Sequence, residues 1–133
     1  MSVPFFDTPD GQSLPFVSNR LHSVNGERVP QTMLFPSREM IEEQMRAVPM
    51  GQTADLAFIR TAMAAEQGAA TTCPVTTQRL LREIAEVSVD AWRGGDKHAV
   101  PFWRVIDPAT PNAARLAGGA DFIRDRRAAE ERR

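Results

Sequence analysis

The side chains best suited to nucleophilic or metal chemistry are few in this sequence: one cysteine, Cys73, and two histidines, His22 and His98. Cys73 precedes a predicted helix, where backbone N–H dipoles would favour a reactive thiolate if the side chain were exposed. A structural residue buried beside the helix start is the stronger interpretation, since free cysteine is among the most buried residue types. The three side chains lack metal-site spacing, so we predict no metal and no other cofactor.

A second group of side chains suits binding rather than catalysis. Polar residues at the start of the long predicted helix could contact phosphates or base edges from the major groove of DNA. The alternative is a solvated helix face on which Glu83 and Glu86 offset the arginines. The candidate DNA contacts are Thr76, Thr77, Gln78, Arg79 and Arg82.

Two adjacent aromatic residues, Phe102 and Trp103, form a third group. Aromatic faces stabilise an unstacked base, so these residues could line a pocket for a flipped base. Their alternative role is in the core of a short strand, because large aromatic side chains dominate buried packing. The residues alone do not decide between these two interpretations.

Apolar periodicity and breakers predict a mainly α-helical domain with a small β element. A short strand is predicted over residues 99–106, and turns at residues 107–108 and 110–112. The charged end from Glu130 to Arg133 is expected to fray. Helices are predicted from the Ser37 cap to Pro49, from Thr53 or Asp55 to Gln67, from Pro74 to Trp92, and from Ala120 to Ala129.

The first 35 residues are predicted to form an irregular, extended N-terminal arm ahead of a domain over residues 36–133. Pro4, Pro9, Pro15 and Pro30 interrupt the arm and exclude long helices. A short hairpin over residues 24–29 is compatible with its central Asn-Gly pair. Recurring apolar residues suggest that the arm packs on the domain or on a partner subunit. We therefore consider a protein partner or a homodimer.

Composition restricts the class of protein. The chain has 133 residues, 42% of them hydrophobic, which suits one domain with a modest core. No apolar run is long enough to span a bilayer, the N-terminus lacks the regions of a secretory signal, and a single thiol fits a reducing compartment. A cytoplasmic protein is expected. The net charge is −1, but residues 67–133 carry a net +2, so any nucleic-acid surface should lie there.

Three blocks occur in order along residues 37–130: Val-Pro-Met-Gly-Gln-Thr at residues 48–53, Pro-Phe-Trp-Arg-Val-Ile at 101–106 and Leu-Ala-Gly-Gly at 116–119. Together they resemble the DNA-binding domain of the alkylguanine-DNA alkyltransferases. The second block stands where that family carries its active-site motif, Pro-Cys-His-Arg-Val-Val. The chain is more similar still to uncharacterised members with Cys-Pro-x-Thr-Thr, here residues 73–77, and Pro-Phe-Trp-Arg-Val-Ile-Asp-Pro, here residues 101–108.

The resemblance implies a winged helix-turn-helix that binds double-stranded DNA. In the family the cysteine takes an alkyl group from a flipped guanine, and a histidine helps to remove its proton. Phe102 and Trp103 occupy these two positions and can do neither, so we predict that the protein is not an enzyme. Leu56 stands where the family has a phosphate-turning tyrosine.

Alkyltransferase-like proteins without the cysteine bind alkylated bases and do not repair them. The resemblance therefore implies a non-enzymatic protein that binds alkylated or otherwise damaged DNA. The alternative is a protein-interaction or oligomerisation module on the same fold. The expected base pocket comprises Phe102, Trp103, Arg104, Gly118 and Gly119.

Overall fold

The computed structural model describes residues 14–24 and 26–132, and this part of the chain begins with a β-hairpin. Strand β1 (Phe16–Val24) pairs antiparallel with β2 (Glu27–Phe35), and the two end rings, Phe16 and Phe35, stack 4.8 Å apart. Gly26 has φ +84, the left-handed conformation that tight hairpin loops favour. The hairpin predicted over residues 24–29 is therefore confirmed, and it is longer than expected.

The prediction of an irregular arm is wrong for residues 16–35, because they form a continuous two-stranded ladder. Pro30 does not interrupt it. Strand β3 (Thr71–Thr72) pairs with β2 only at Met33 and Leu34, so within the described residues β2 has an open side at Pro30, where a missing N–H is tolerated. Residues 1–13 of the predicted arm lie outside the described residues.

Three helices follow the hairpin as the sequence predicts. Helix α1 (Arg38–Ala47) is capped by Ser37, whose Oγ accepts the Met40 N–H at 3.2 Å. Helix α2 (Leu56–Glu66) begins after Asp55 and is followed by Gly68 at φ +68. Helix α3 (Pro74–Arg93) has proline in its first turn, where no N–H is needed. These starts and stops depend on local chemistry, which explains why the sequence located them.

The segment before the last helices differs from the prediction. Residues 99–106 contain a 3₁₀ turn (Phe102–Arg104) instead of a strand. This turn contacts α1, α3 and a last helix, α5 (Gly119–Glu131), and the three-stranded sheet does not include it. Without a neighbouring strand a β segment has no ladder partner, and short i→i+3 bonds satisfy the backbone instead. The predicted turn at residues 110–112 begins a short helix, α4 (Pro111–Arg115).

The protein is mainly helical, with its core between α1, α2, α3, the 3₁₀ turn and α5. Among the fully buried apolar side chains of this core, Leu34 comes from strand β2, and the others come from the helices and the 3₁₀ turn. No helix in the described part of the chain combines the length and the apolar character needed to cross a membrane. The largest fully buried apolar side chains are Leu34, Ile41, Met45, Met63, Leu81, Ile84, Phe102 and Ile123.

Gly118 and Gly119 offer a test of the packing at the start of α5. Both have positive φ, but a Cβ on Gly118 would lie 2.7 Å from the Cβ of Phe122, whereas a Cβ on Gly119 would meet nothing within 4 Å. We expect Gly118→Ala to lower the free energy of unfolding by about 2–4 kcal/mol, from left-handed strain plus overpacking. Gly119→Ala should cost only about 1–2 kcal/mol, from strain alone. Urea unfolding followed by tryptophan fluorescence measures both, and equal losses would contradict the steric account.

Candidate functional site

The start of α3 is buried and does not present a polar surface. Thr76 and Thr77 are buried, and the Thr77 hydroxyl donates to the Cys73 carbonyl at 2.7 Å. The Cys73 Sγ accepts the Thr76 N–H at 3.5 Å, and Cys73 itself is buried. The interpretation of Cys73 as a buried residue at the helix start is confirmed. The two threonines are not available for the DNA contacts expected of them, because this capping arrangement turns them inward.

The other three candidate contacts on α3 lie on a surface of mixed charge. Gln78 Oε1 accepts from Asn112 Nδ2 at 2.8 Å, and Arg79 Nη1 pairs with Glu83 Oε2 at 2.7 Å. Arg82 is exposed, but Glu86 and Asp90 are exposed further along the same helix. The mixed-charge interpretation thus describes this face better than that of a cationic recognition surface.

Phe102 is a core residue. Its side chain is fully buried, and its ring lies parallel to that of Phe122 with centroids 6.0 Å apart. Gly118 leaves the space that the Phe122 side chain occupies, and Gly119 begins α5. The pocket expected from the resemblance is therefore not formed at Phe102, because the 3₁₀ turn directs this ring into the interior where a base cannot reach it.

Trp103 and Arg104 are joined by a residue that the sequence analysis missed, Glu130. The Trp103 indole Nε1 donates to Glu130 Oε2 at 3.0 Å. Arg104 donates through Nε to Oε1 at 3.0 Å and through Nη2 to Oε2 at 2.9 Å, which makes the pair bidentate. Arg104 Nη1 also donates to the Val48 carbonyl at 2.9 Å, and the Gly51 N–H lies 3.5 Å from Glu130 Oε1. We call these three side chains the Glu130 cluster.

The Glu130 cluster corrects the prediction that the chain end frays from residue 130. Glu130 is only 5% exposed, and α5 continues to Glu131. A charged C-terminal sequence normally lies in solvent, but here a largely buried arginine and a buried indole N–H both need an acceptor. The sequence contained one indication of this arrangement. A tryptophan and an arginine lie side by side in an otherwise apolar block, and such a pair requires an acceptor.

Burial by itself would raise the pKa of the Glu130 carboxyl. The hydrogen bonds from Arg104 and Trp103, the charge on Arg104 and the Gly51 N–H outweigh that effect and hold this pKa below its ordinary value. Nearby, Arg127 Nε donates to the Trp103 carbonyl at 2.6 Å. Burial lowers the pKa of Arg127, while Asp107 and Glu131 oppose that shift. The Glu130 carboxyl is therefore charged at neutral pH.

A cleft of about 420 Å³ opens above the Glu130 cluster. Its wall includes Trp92, at the end of α3, and two cations that contact the indole ring. Arg126 Cζ lies 3.7 Å from the Trp92 ring centroid, and Lys97 Nζ lies 5.2 Å from it. Arg46, from α1, completes the wall and donates from Nη1 to the His98 carbonyl at 3.0 Å. We call this site the Trp92 cleft.

The Trp92 cleft carries an excess of positive charge. Among the described residues, its lining contains four basic side chains (Arg46, Lys97, Arg104 and Arg126) and one carboxylate, that of Glu130. That carboxylate is already bound by Arg104 and Trp103. Within the described residues, no acidic side chain lies within salt-bridge distance of Arg46 or Lys97. In a chain of net charge −1, this concentration of cations is suited to an anion.

Comparisons with protein-family models, curated proteins and solved structures gave no match to this chain. The resemblance to the alkyltransferases therefore depends on the three sequence blocks alone. In the structure, two of these blocks contribute to the Trp92 cleft, through Met50 in the first and Pro101, Trp103 and Arg104 in the second. Across residues 14–24 and 26–132, no cluster of three or more His, Cys, Asp or Glu side chains is arranged to hold a metal ion.

Replacement of Glu130 tests the cluster. Glu130→Gln removes the charge that pairs with Arg104, whose side chain is only 12% exposed. Because an uncompensated buried charge remains, we expect a loss of about 3–5 kcal/mol in the free energy of unfolding. The matched control is Glu131→Gln at an exposed neighbouring position, which should change stability by less than about 0.5 kcal/mol. Similar chemical-denaturation midpoints for the two variants would show that the cluster contributes little.

The lowered pKa of Glu130 also predicts a pH dependence. Its ionised form is favoured in the folded state, so its contribution to stability is complete above the ordinary glutamate pKa of about 4.3. That contribution declines as the pH falls through the lower pKa of the folded protein. The difference in Tm between the wild type and Glu130→Gln should therefore narrow as the pH falls below about 4.3. A difference that stays constant across a differential scanning calorimetry series would contradict the assigned direction of the shift.

Proposed function

We propose that this protein binds DNA through the Trp92 cleft and does not alter it chemically. The observation that supports this most strongly is the placement of Arg46, Lys97 and Arg126 around Trp92, while the carboxylate among the described lining residues, that of Glu130, is bound by Arg104 and Trp103. Phosphate oxygens are the commonest protein contact in DNA complexes, and arginine and lysine supply most of the charge. The cleft also adjoins the block in which the alkyltransferases carry their active site.

The absence of catalysis in this proposal is supported by the positions of the candidate nucleophiles. Phe102 and Trp103 have no group that can attack an alkylated base or relay a proton. Cys73 caps α3 from a buried position. A thiol needs access and a proton acceptor to react, and the described contacts of Cys73 provide neither.

The fold proposed for this role is a winged helix-turn-helix. Helices α2 and α3 would be its two helices, and the hairpin of β1 and β2 would act as the wing, since residues 99–106 form no strand. Arg82 would be a secondary phosphate contact on α3. It lies ten residues before Trp92, about 15 Å along the helix axis.

A preference for alkylated bases is not part of this proposal. The resemblance favours damaged DNA as the ligand, but that preference was expected to depend on stacking of a base against Phe102, which is fully buried. The cleft offers charged side chains, and such side chains contact the phosphates of the DNA backbone without discriminating between bases. We therefore expect similar affinities for normal and alkylated duplexes.

Fluorescence anisotropy with two duplexes, one normal and one with a single alkylated guanine, tests the proposal. Both should bind, and the affinity should fall steeply as salt rises. Lys97→Ala should weaken both complexes and reduce the slope of log K against log salt by about 1. The control is Arg115→Ala, an exposed arginine outside the cleft lining, which should leave the affinity for both duplexes unchanged.

Three results would overturn all or part of the proposal. Equal effects of the two substitutions on affinity would show that the Trp92 cleft is not the DNA contact. A strong preference for the alkylated duplex would show that the protein recognises the damaged base. No binding to either duplex at low salt would favour the protein-interaction alternative. For that alternative the relevant observation is β1, a nine-residue strand at the edge of the sheet in the described part of the chain, since edge strands can pair with another chain.

A further inference from the structure

The solvent side of α3 carries four side chains that follow one another at intervals of four residues: Val75, Arg79, Glu83 and Val87. Positions with this spacing are neighbours on a helix and form a continuous ridge, here about 18 Å long. We call these four residues the α3 ridge. Both of its ends are exposed apolar side chains, since Val75 is 75% and Val87 59% exposed. Isolated exposed valines are ordinary, but these two enclose a charged pair in one ridge.

The centre of the α3 ridge is an ion pair. Arg79 Nη1 lies 2.7 Å from Glu83 Oε2, and Arg38 Nη1 on α1 lies 3.9 Å from Glu83 Oε1. The Glu83 side chain is nevertheless 42% exposed, so its carboxylate can accept from a further donor. Arg79 has another interaction within its own chain, so its charge is not free. A free charge is not needed here, because two intact ion pairs that lie side by side in opposite directions still attract each other.

The order of the α3 ridge is apolar, cation, anion, apolar, and this order is its own complement when it is reversed. A two-fold axis between positions 79 and 83 makes this reversal. Val75 then meets Val87 of a second copy, Arg79 meets Glu83 of the second copy, and each contact occurs twice. Ridges of residues four apart also interdigitate in the commonest class of helix packing, with the two axes inclined by about 50°. A partner of unrelated sequence would require no such symmetry, so the pattern favours a second copy of this chain.

We infer that the α3 ridge forms the contact of a symmetric dimer of this protein. A contact of one ridge on each side is smaller than the standard protein–protein interface of roughly 1,600 Å², so the dimer should be weak and reversible. Such a dimer is independent of the proposed DNA binding. Trp92 lies five residues beyond Val87 and about 140° further round the helix, so the α3 ridge and the Trp92 cleft lie on different sides of α3.

Sedimentation velocity of the whole chain, from low to high micromolar protein concentrations, tests the dimer. We expect the wild type to shift from monomer to dimer as its concentration rises. Val87→Lys places an ammonium group against Val75 of the second copy and removes two apolar contacts from each dimer. It should therefore raise the dissociation constant at least about 10-fold. The matched control is Val17→Lys, which changes an exposed valine on β1 in the same way and should leave the dissociation constant unchanged.

Exchange of the central charges tests the pairing itself. Arg79→Glu gives a ridge with two anions and Glu83→Arg gives a ridge with two cations, so each variant alone should repel its own copy and remain monomeric. An equimolar mixture should form a heterodimer, because the two anions of one chain then face the two cations of the other. Mixing cannot restore the ion pair that each helix has lost, so this result separates a contact between chains from a structural role. Circular dichroism of each variant checks that the fold is retained.

The results that would overturn the inference are specific. A wild type that stays monomeric at the highest concentration would do so, and so would equal effects of Val87→Lys and Val17→Lys on the dissociation constant. A dimer weakened by Val17→Lys alone would place the contact at the edge strand β1 instead. A mixture of the two folded charge variants that stays monomeric would show that Arg79 and Glu83 do not meet across a two-fold axis.

Discussion

One buried carboxylate links three segments of this protein that are far apart in the sequence. Glu130 accepts hydrogen bonds from Nε and Nη2 of Arg104 and from the indole Nε1 of Trp103. Burying two charges is costly, and mutual attraction offsets that cost only when the remaining donors and acceptors are also satisfied. Here the Val48 carbonyl takes a further Arg104 proton. The end of α1, the 3₁₀ turn and the end of α5 are thereby held in one arrangement.

The charge of the Trp92 cleft follows from the same cluster. Because Glu130 is committed to Arg104 and Trp103, the floor of the cleft is close to neutral and does not cancel the cations of the wall. These cations come from α1, from the loop after α3 and from α5. They are far apart in the chain, and the positive region exists only once the three segments have packed together.

The block that resembles an active site has a structural role in this chain. Phe102 fills the core against Phe122, Trp103 donates to Glu130, and Arg104 ties the turn to α1 and α5. Where the motif that this block resembles has a cysteine and a histidine, this chain has two aromatic residues that are buried. The proposed binding beside this block does not need the reactive pair.

Local chemistry allowed the sequence by itself to determine α1 to α3 and the loop of the hairpin. Ser37 caps a helix, Pro74 fits a first turn, Gly68 follows a helix end, and Asn-Gly suits a tight hairpin loop, whatever else the chain does. The sequence also identified the blocks at residues 48–53 and 101–106, although it did not show which contacts they make. All of these features depend on residues that are neighbours in the chain.

Only the tertiary structure decided the rest. Residues 16–35 became strands because a partner strand lay beside them, and residues 99–106 formed a 3₁₀ turn because none did. The inward position of Phe102, the burial of Glu130 and the meeting of Arg46 with Lys97 and Arg126 each depend on residues more than 19 positions apart. Periodicity describes a few turns of chain. Ion pairs, ladders and clefts arise when distant segments are brought together, and their energies depend on burial that no local pattern encodes.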